Sequence, residues 1–116
     1  MRKCREIIEG AIYETYDVVN RHYDFLDPFQ IKKLLINVIE FAKESYDFVC
    51  YHYSINNNEM SLIIKPGKKG NISKIMQFIK SAFAKLYNKL TDGTGHVWRQ
   101  RFKSRIIKYI KNCGNF

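Results

Sequence analysis

What the second half of this sequence lacks is acid. From Met60 to Phe116 it carries 13 lysines and arginines and one carboxylate, Asp92, a net of +12, whereas Met1 to Glu59 carries 7 basic and 10 acidic residues, a net of −3. Cations crowded in this way repel one another unless a polyanion neutralises them, so the imbalance points to a phosphate-rich partner. Other absences exclude whole classes. No apolar run approaches the roughly 18 residues that cross a bilayer, and the opening Met1-Arg2-Lys3-Cys4-Arg5-Glu6 lacks the apolar stretch of a signal peptide, so a cytoplasmic protein is expected. Three cysteines, Cys4, Cys50 and Cys113, stand far apart, which fits neither a disulfide framework nor a Cys-x-x-Cys zinc site and leaves free thiols. His22, His52 and His96 have no partner at ligand spacing and define no metal site. Repeats, low-complexity tracts and Pro/Ser-rich linkers are missing, and 116 residues, 46% of them hydrophobic, suit one core, so residues 1–116 read as a single domain.

What is present gives the polyanion a character. Aromatic residues alternate with cations in Trp98-Arg99-Gln100-Arg101-Phe102-Lys103-Ser104-Arg105, a pattern that suits phosphate contacts combined with base stacking. No helix combines a basic face with a freely exposed apolar one, which disfavours a membrane surface. DNA or another nucleic acid is therefore the expected partner. Lys65, Lys68, Lys69, Lys74, Lys80, Arg99, Arg101, Lys103 and Arg105 are the candidate phosphate contacts, and Trp98 and Phe102 the candidate stacking residues, with core packing the alternative for both aromatics.

The element order follows from periodicity. Ala11 to Val19, rich in Tyr, Val and Ile, reads as a strand. Asp27-Pro28 reads as a helix start, with the carboxylate as N-cap, and Ile31, Leu34, Leu35, Val38, Ile39 and Ala42 recur at helical spacing up to Glu44. Tyr46–Tyr53 and Glu59–Lys65, separated by Asn56-Asn57-Asn58, predict an antiparallel hairpin. After the basic loop Pro66-Gly67-Lys68-Lys69-Gly70, a second helix starts at Asn71 or Ser73, and Ile72, Ile75, Met76, Ile79, Phe83, Leu86 and Leu90 form its apolar stripe. His96 to Ile107 carries a last strand. The order β-α-β-β-α-β predicts an α+β, ferredoxin-like sandwich, an antiparallel sheet with its helices on one face.

Several blocks carry a resemblance. Tyr53-Ser54-Ile55-Asn56-Asn57-Asn58-Glu59-Met60-Ser61 followed by Leu62-Ile63-Ile64-Lys65-Pro66, the helix around Ile72-Ser73-Lys74-Ile75-Met76-Gln77, and Gly95-His96-Val97-Trp98 with Arg101-Phe102-Lys103-Ser104 resemble, in order and spacing, the single-tyrosine HUH transposases, the IS200-like and REP-associated group. The resemblance spans roughly Glu9 to Ile107. It implies DNA transposition, a single-stranded or hairpin DNA partner, a possible homodimer, and a metal-holding histidine pair on the second strand of the hairpin, where the metal polarises the scissile phosphate. The matching positions here are Glu59 and Ser61, which share a strand face but offer no imidazole, so no cofactor is expected unless a residual site at Glu59 takes Mg²⁺ or Mn²⁺. The family's nucleophilic tyrosine, carried on a C-terminal helix, has a faint counterpart in Tyr109 of Tyr109-Ile110-Lys111-Asn112. Only four residues separate Ser104 from Tyr109, and the domain reads as C-terminally shortened.

Three readings stay open on the sequence. One is a DNA-binding transposase domain without catalysis. In another, an active nickase uses Glu59 with Glu14 or Asp17 as a replacement metal site and Tyr109 as nucleophile. The last is a protein-interaction domain derived from a mobile element.

Overall fold

The computed structural model describes residues 10–19, 25–68, 70–91, 93, 95–99 and 102–109. The elements follow in the order β1 (Ala11–Val18), α1 (Phe29–Ser45), β2 (Phe48–Asn56), β3 (Glu59–Pro66), α2 (Ile72–Thr91) and β4 (Lys103–Tyr109). The strands form one antiparallel sheet in the order β2-β3-β1-β4, the arrangement expected of a ferredoxin-like α+β sandwich.

Strand alternation sets the two faces. Tyr13, Thr15 and Asp17 of β1 and Met60, Leu62 and Ile64 of β3 are buried on one face, beneath Leu35, Val38, Ile39 and Ala42 of α1 and Ile72, Ile75, Met76, Ile79 and Phe83 of α2. The other face, with Glu14, Tyr16 and Val18 on β1 and Glu59, Ser61 and Ile63 on β3, carries no helix among the described residues. Leu86 and Leu90 continue the predicted stripe of α2 but are 41% and 72% exposed, outside the core formed by Ile72 to Phe83.

The start of α1 differs from the sequence expectation in an informative way. Pro28 takes the N-cap position and no side chain caps the helix. The Asp27 carboxylate instead accepts the backbone N–H of Asn57 at 2.7 Å, in the β2–β3 turn. Asn57 holds a left-handed φ of 57°, which asparagine tolerates better than most residues. Two further bonds fasten the same turn, Leu26 N–H to the Asn57 carbonyl at 2.6 Å and Val19 N–H to the Asn58 carbonyl at 2.7 Å. The hairpin tip is thereby sewn to the segment between β1 and α1.

The second helix starts as expected, with the Asn71 side chain accepting the N–H groups of Ser73 at 2.9 Å and Lys74 at 3.1 Å. Ahead of it, Gly67 and Gly70 are packed so closely on Asp47 that a Cβ would lie 2.0 Å from its carboxylate and 2.3 Å from its carbonyl oxygen, respectively. The expected strand from His96 to Ile107 is two pieces. Trp98 makes an isolated bridge to Val19, and β4 begins only at Lys103, after the buried Phe102 has turned into the core. No helix of the described residues is long and apolar enough to cross a membrane. Cys50 is a free thiol whose pKa is pushed up by burial, while Cys4, Cys113 and His22 lie outside the described residues.

Candidate nucleic-acid interface

The register turns the open face into a grid. At one end Asn56, Glu59 and Val18 stand side by side on β2, β3 and β1, and Arg99 joins them through its N–H bond to the Val18 carbonyl at 2.8 Å. The next row is Ser54, Ser61, Tyr16 and Lys103, and the one after it His52, Ile63, Glu14 and Arg105. Neighbouring strands lie about 4.8 Å apart, so residues within a row touch and those in adjacent rows are in reach of long side chains. Glu14, Tyr16, Ser61, Lys103, Ser104 and Arg105 border a shallow groove of about 310 Å³.

Tyr16 is the hub of this patch. Partial burial raises its hydroxyl above the ordinary tyrosine value, and so does the Glu59 carboxylate, by its charge and by accepting the phenolic hydrogen bond, while Arg99 pulls the other way. Tyr16 is 39% exposed. One row on, Arg105 closes on Glu14 with both Nε (2.7 Å) and Nη2 (2.6 Å), so these two charges largely cancel. Among the described residues no carboxylate forms an ion pair with Arg99, Lys103 or Lys65.

The remaining sequence candidates scatter. Lys65 is on the open face at the far end of β3 from Glu59. Lys68 and Lys74 are exposed in the loop after β3 and the first turn of α2. Lys69 and Arg101 lie outside the described residues. Lys80 and Trp98 are on the helix side of the sheet. The Lys80 ammonium is 2.8 Å from the fully buried Asp17 carboxylate and 5.6 Å from the centre of the Trp98 ring, whose indole N–H donates to the Lys80 carbonyl at 3.0 Å. Trp98 also packs on Phe83. Both residues thus clamp the strand segment that ends in Arg99 onto α2, a placement that a phosphate contact or a stacking platform would not have.

The catalytic candidates are not brought together. Tyr109 pairs with Ala11, whereas Glu59 pairs with Val18, seven positions along β1. At roughly 3.3 Å per residue the two are about 23 Å apart within one chain. The donors for a divalent ion do not fit either. Ser61 offers a neutral hydroxyl and Glu59 is engaged by Tyr16. Glu14 is held by Arg105, and Asp17 points to the opposite face against Lys80. No group of three His, Cys, Asp or Glu side chains able to share an ion occurs among the described residues.

Sequence reasoning missed Tyr16. Alternation along β1 would have put it on the face of Glu14, but its place beside Glu59 and Arg99 depends on cross-strand register, which no local pattern encodes.

The strand order defines a ferredoxin-like α+β domain whose open sheet face carries Arg99, Lys103 and Arg105 together with Glu14 and Glu59. The chain belongs to the IS200-like transposase family: the model for that family, Transposase IS200 like, matches residues 11–112. Two solved structures share the fold. One is a REP-associated tyrosine transposase bound to a REP hairpin, with a TM-score of 0.76 at 19% identity over 93% of this chain. This chain spans 63% of the length of that one. The other, a candidate transposase from Deinococcus radiodurans R1, gives 0.70 at 11% identity, covering 93% of this chain and 87% of its own. None of the curated proteins matches the chain.

Proposed function

We propose that this chain is a transposase-type DNA-binding domain that holds single-stranded or hairpin DNA on its open sheet face and has lost metal-dependent strand cleavage. The observation that carries the reading is the pairing of Arg99 and Lys103, without carboxylate ion pairs among the described residues, with Glu59 and Ser61 at the positions where the family resemblance calls for histidines. Cleavage by a tyrosine needs a positioned phenolate and charge neutralisation on the phosphate. Binding needs only the sheet and its cations. The hairpin DNA in the similar transposase structure supports DNA as the partner. A homodimer belongs to the same reading, since among the described residues β2 and β4 each pair on one side only and leave backbone edges for a second copy.

Fluorescence anisotropy with labelled single-stranded and hairpin oligonucleotides, followed by denaturing gels after incubation with Mg²⁺ or Mn²⁺, tests the reading. Binding that weakens with salt, without cleavage or a covalent adduct, is expected. Nicking that Tyr109→Phe abolishes would restore the active enzyme. Absence of binding at low salt would leave the protein-interaction reading.

A further inference from the structure

We infer that Tyr16, Arg99 and Lys103 form a nucleotide subsite that needs no divalent metal: a base rests on the Tyr16 ring while Arg99 and Lys103 hold the adjoining phosphate. The inference rests on the DNA-binding reading above and locates its contact on the sheet. Tyr16 stands directly between Ser61 and Lys103 in one row, and Arg99 lies beside Val18 in the next, so both cations flank the same ring. The ring is 39% exposed and faces the groove shared with Ser61, Lys103 and Ser104. Stacking on an exposed aromatic ring with a cation on either side is the arrangement by which single strands are held without sequence readout.

Glu59 decides between this subsite and a metal site. It stands one row from Tyr16 on the same face, opposite Val18, so its charge lies beside the ring and opposes an incoming phosphate. A metal site would give the same residue the opposite effect, because the ion would need that charge. Removing the charge therefore has opposite signs under the two schemes.

The test measures affinity of the full chain for a labelled single-stranded oligonucleotide, in EDTA and in Mn²⁺, for five variants. Glu59→Gln is expected to bind roughly threefold more tightly in both buffers, from the loss of one like charge across water. Arg99→Ala and Lys103→Ala are expected to weaken binding about tenfold each and to lower the salt dependence by about one phosphate. Tyr16→Ala is expected to lose roughly tenfold, as for a stacked base, and Tyr16→Phe, which keeps the ring, much less. Circular dichroism melts check that each variant is folded, and Lys103→Ala, on an exposed strand position, remains informative if Tyr16→Ala is not. Binding that appears only with Mn²⁺, or that Glu59→Gln weakens, overturns the subsite while leaving DNA binding intact. So does binding indifferent to Arg99, Lys103 and Tyr16. If the unaltered chain binds no oligonucleotide at low salt, the DNA reading itself fails, and the subsite with it.

Discussion

Replacing Lys80 with methionine separates structure from binding most sharply. The ammonium lies 2.8 Å from Asp17, whose side chain is wholly buried, and only 12% of the Lys80 side chain is exposed. Methionine keeps most of the stem that packs under Trp98 but leaves a buried carboxylate without its cation. Breaking one partner of a buried ion pair costs about 3–5 kcal/mol. A domain of this size is stable by only about 5–15 kcal/mol, so the loss is a large fraction of the total. With a urea slope of about 1.5 kcal/mol per molar, a loss of about 4 kcal/mol moves the midpoint down by roughly 2.5 M. Trp98, the only tryptophan of the chain, reports the transition by fluorescence from within the cluster itself. The double variant Asp17→Asn with Lys80→Met should recover much of the loss, since it removes the charge that was stranded. Its DNA affinity should match that of the unaltered chain. A single variant within about 1 kcal/mol of the parent would refute the buried-pair reasoning, as would a double variant no more stable than the single. A folded double variant that binds DNA more weakly would return Lys80 to the phosphate contacts.

Three further outcomes follow from the same geometry. Asp27→Ala should cost about 1.5–3 kcal/mol in urea unfolding, because the Asn57 N–H loses a charged acceptor at 2.7 Å, and Asp27→Asn, which keeps an acceptor oxygen, should cost less. Gly70→Ala should destabilise more than Gly67→Ala, since the new methyl meets the Asp47 backbone oxygen at 2.3 Å in one case and a carboxylate that can swing aside in the other; thermal melts rank them. Tyr16 has a raised folded-state pKa, so its contribution to stability is complete below the ordinary tyrosine value and is lost as the pH climbs through the folded one. Tyr16→Phe should accordingly show a shallower decline of stability at alkaline pH than the parent, measured by urea midpoints across that range.

How much of this was legible in the sequence depends on the range of the interaction that decided each feature. Period-two and period-3.6 patterns are local, and they placed both helices and the hairpin within a few residues. Asp27 was misread because a capping signal looks the same whether the carboxylate turns to its own helix or reaches the Asn57 turn. The run from His96 to Ile107 reads as one strand because apolar and aromatic residues recur along it, whereas among the described residues only the Trp98 bridge and the stretch from Lys103 pair with the sheet. The shared face of Glu59 and Ser61 needed only alternation and was legible. The meeting of Tyr16, Glu59 and Arg99 needed the β1–β3 register and the Val19–Trp98 bridge, both long-range facts. Charge counting likewise could not tell Lys103, which faces solvent, from Lys80, which faces a buried carboxylate.

The central claim is a phosphate grip that works without a metal, and a salt titration of single-stranded DNA binding in EDTA tests it most directly. With Lys65, Arg99 and Lys103 as the open-face cations that form no carboxylate ion pair among the described residues, the logarithm of the binding constant should fall linearly with the logarithm of salt, at a slope of about −2 for single strands. Adding Mn²⁺ should change neither slope nor affinity beyond its ionic strength. Undetectable binding in EDTA that Mn²⁺ restores would contradict the account.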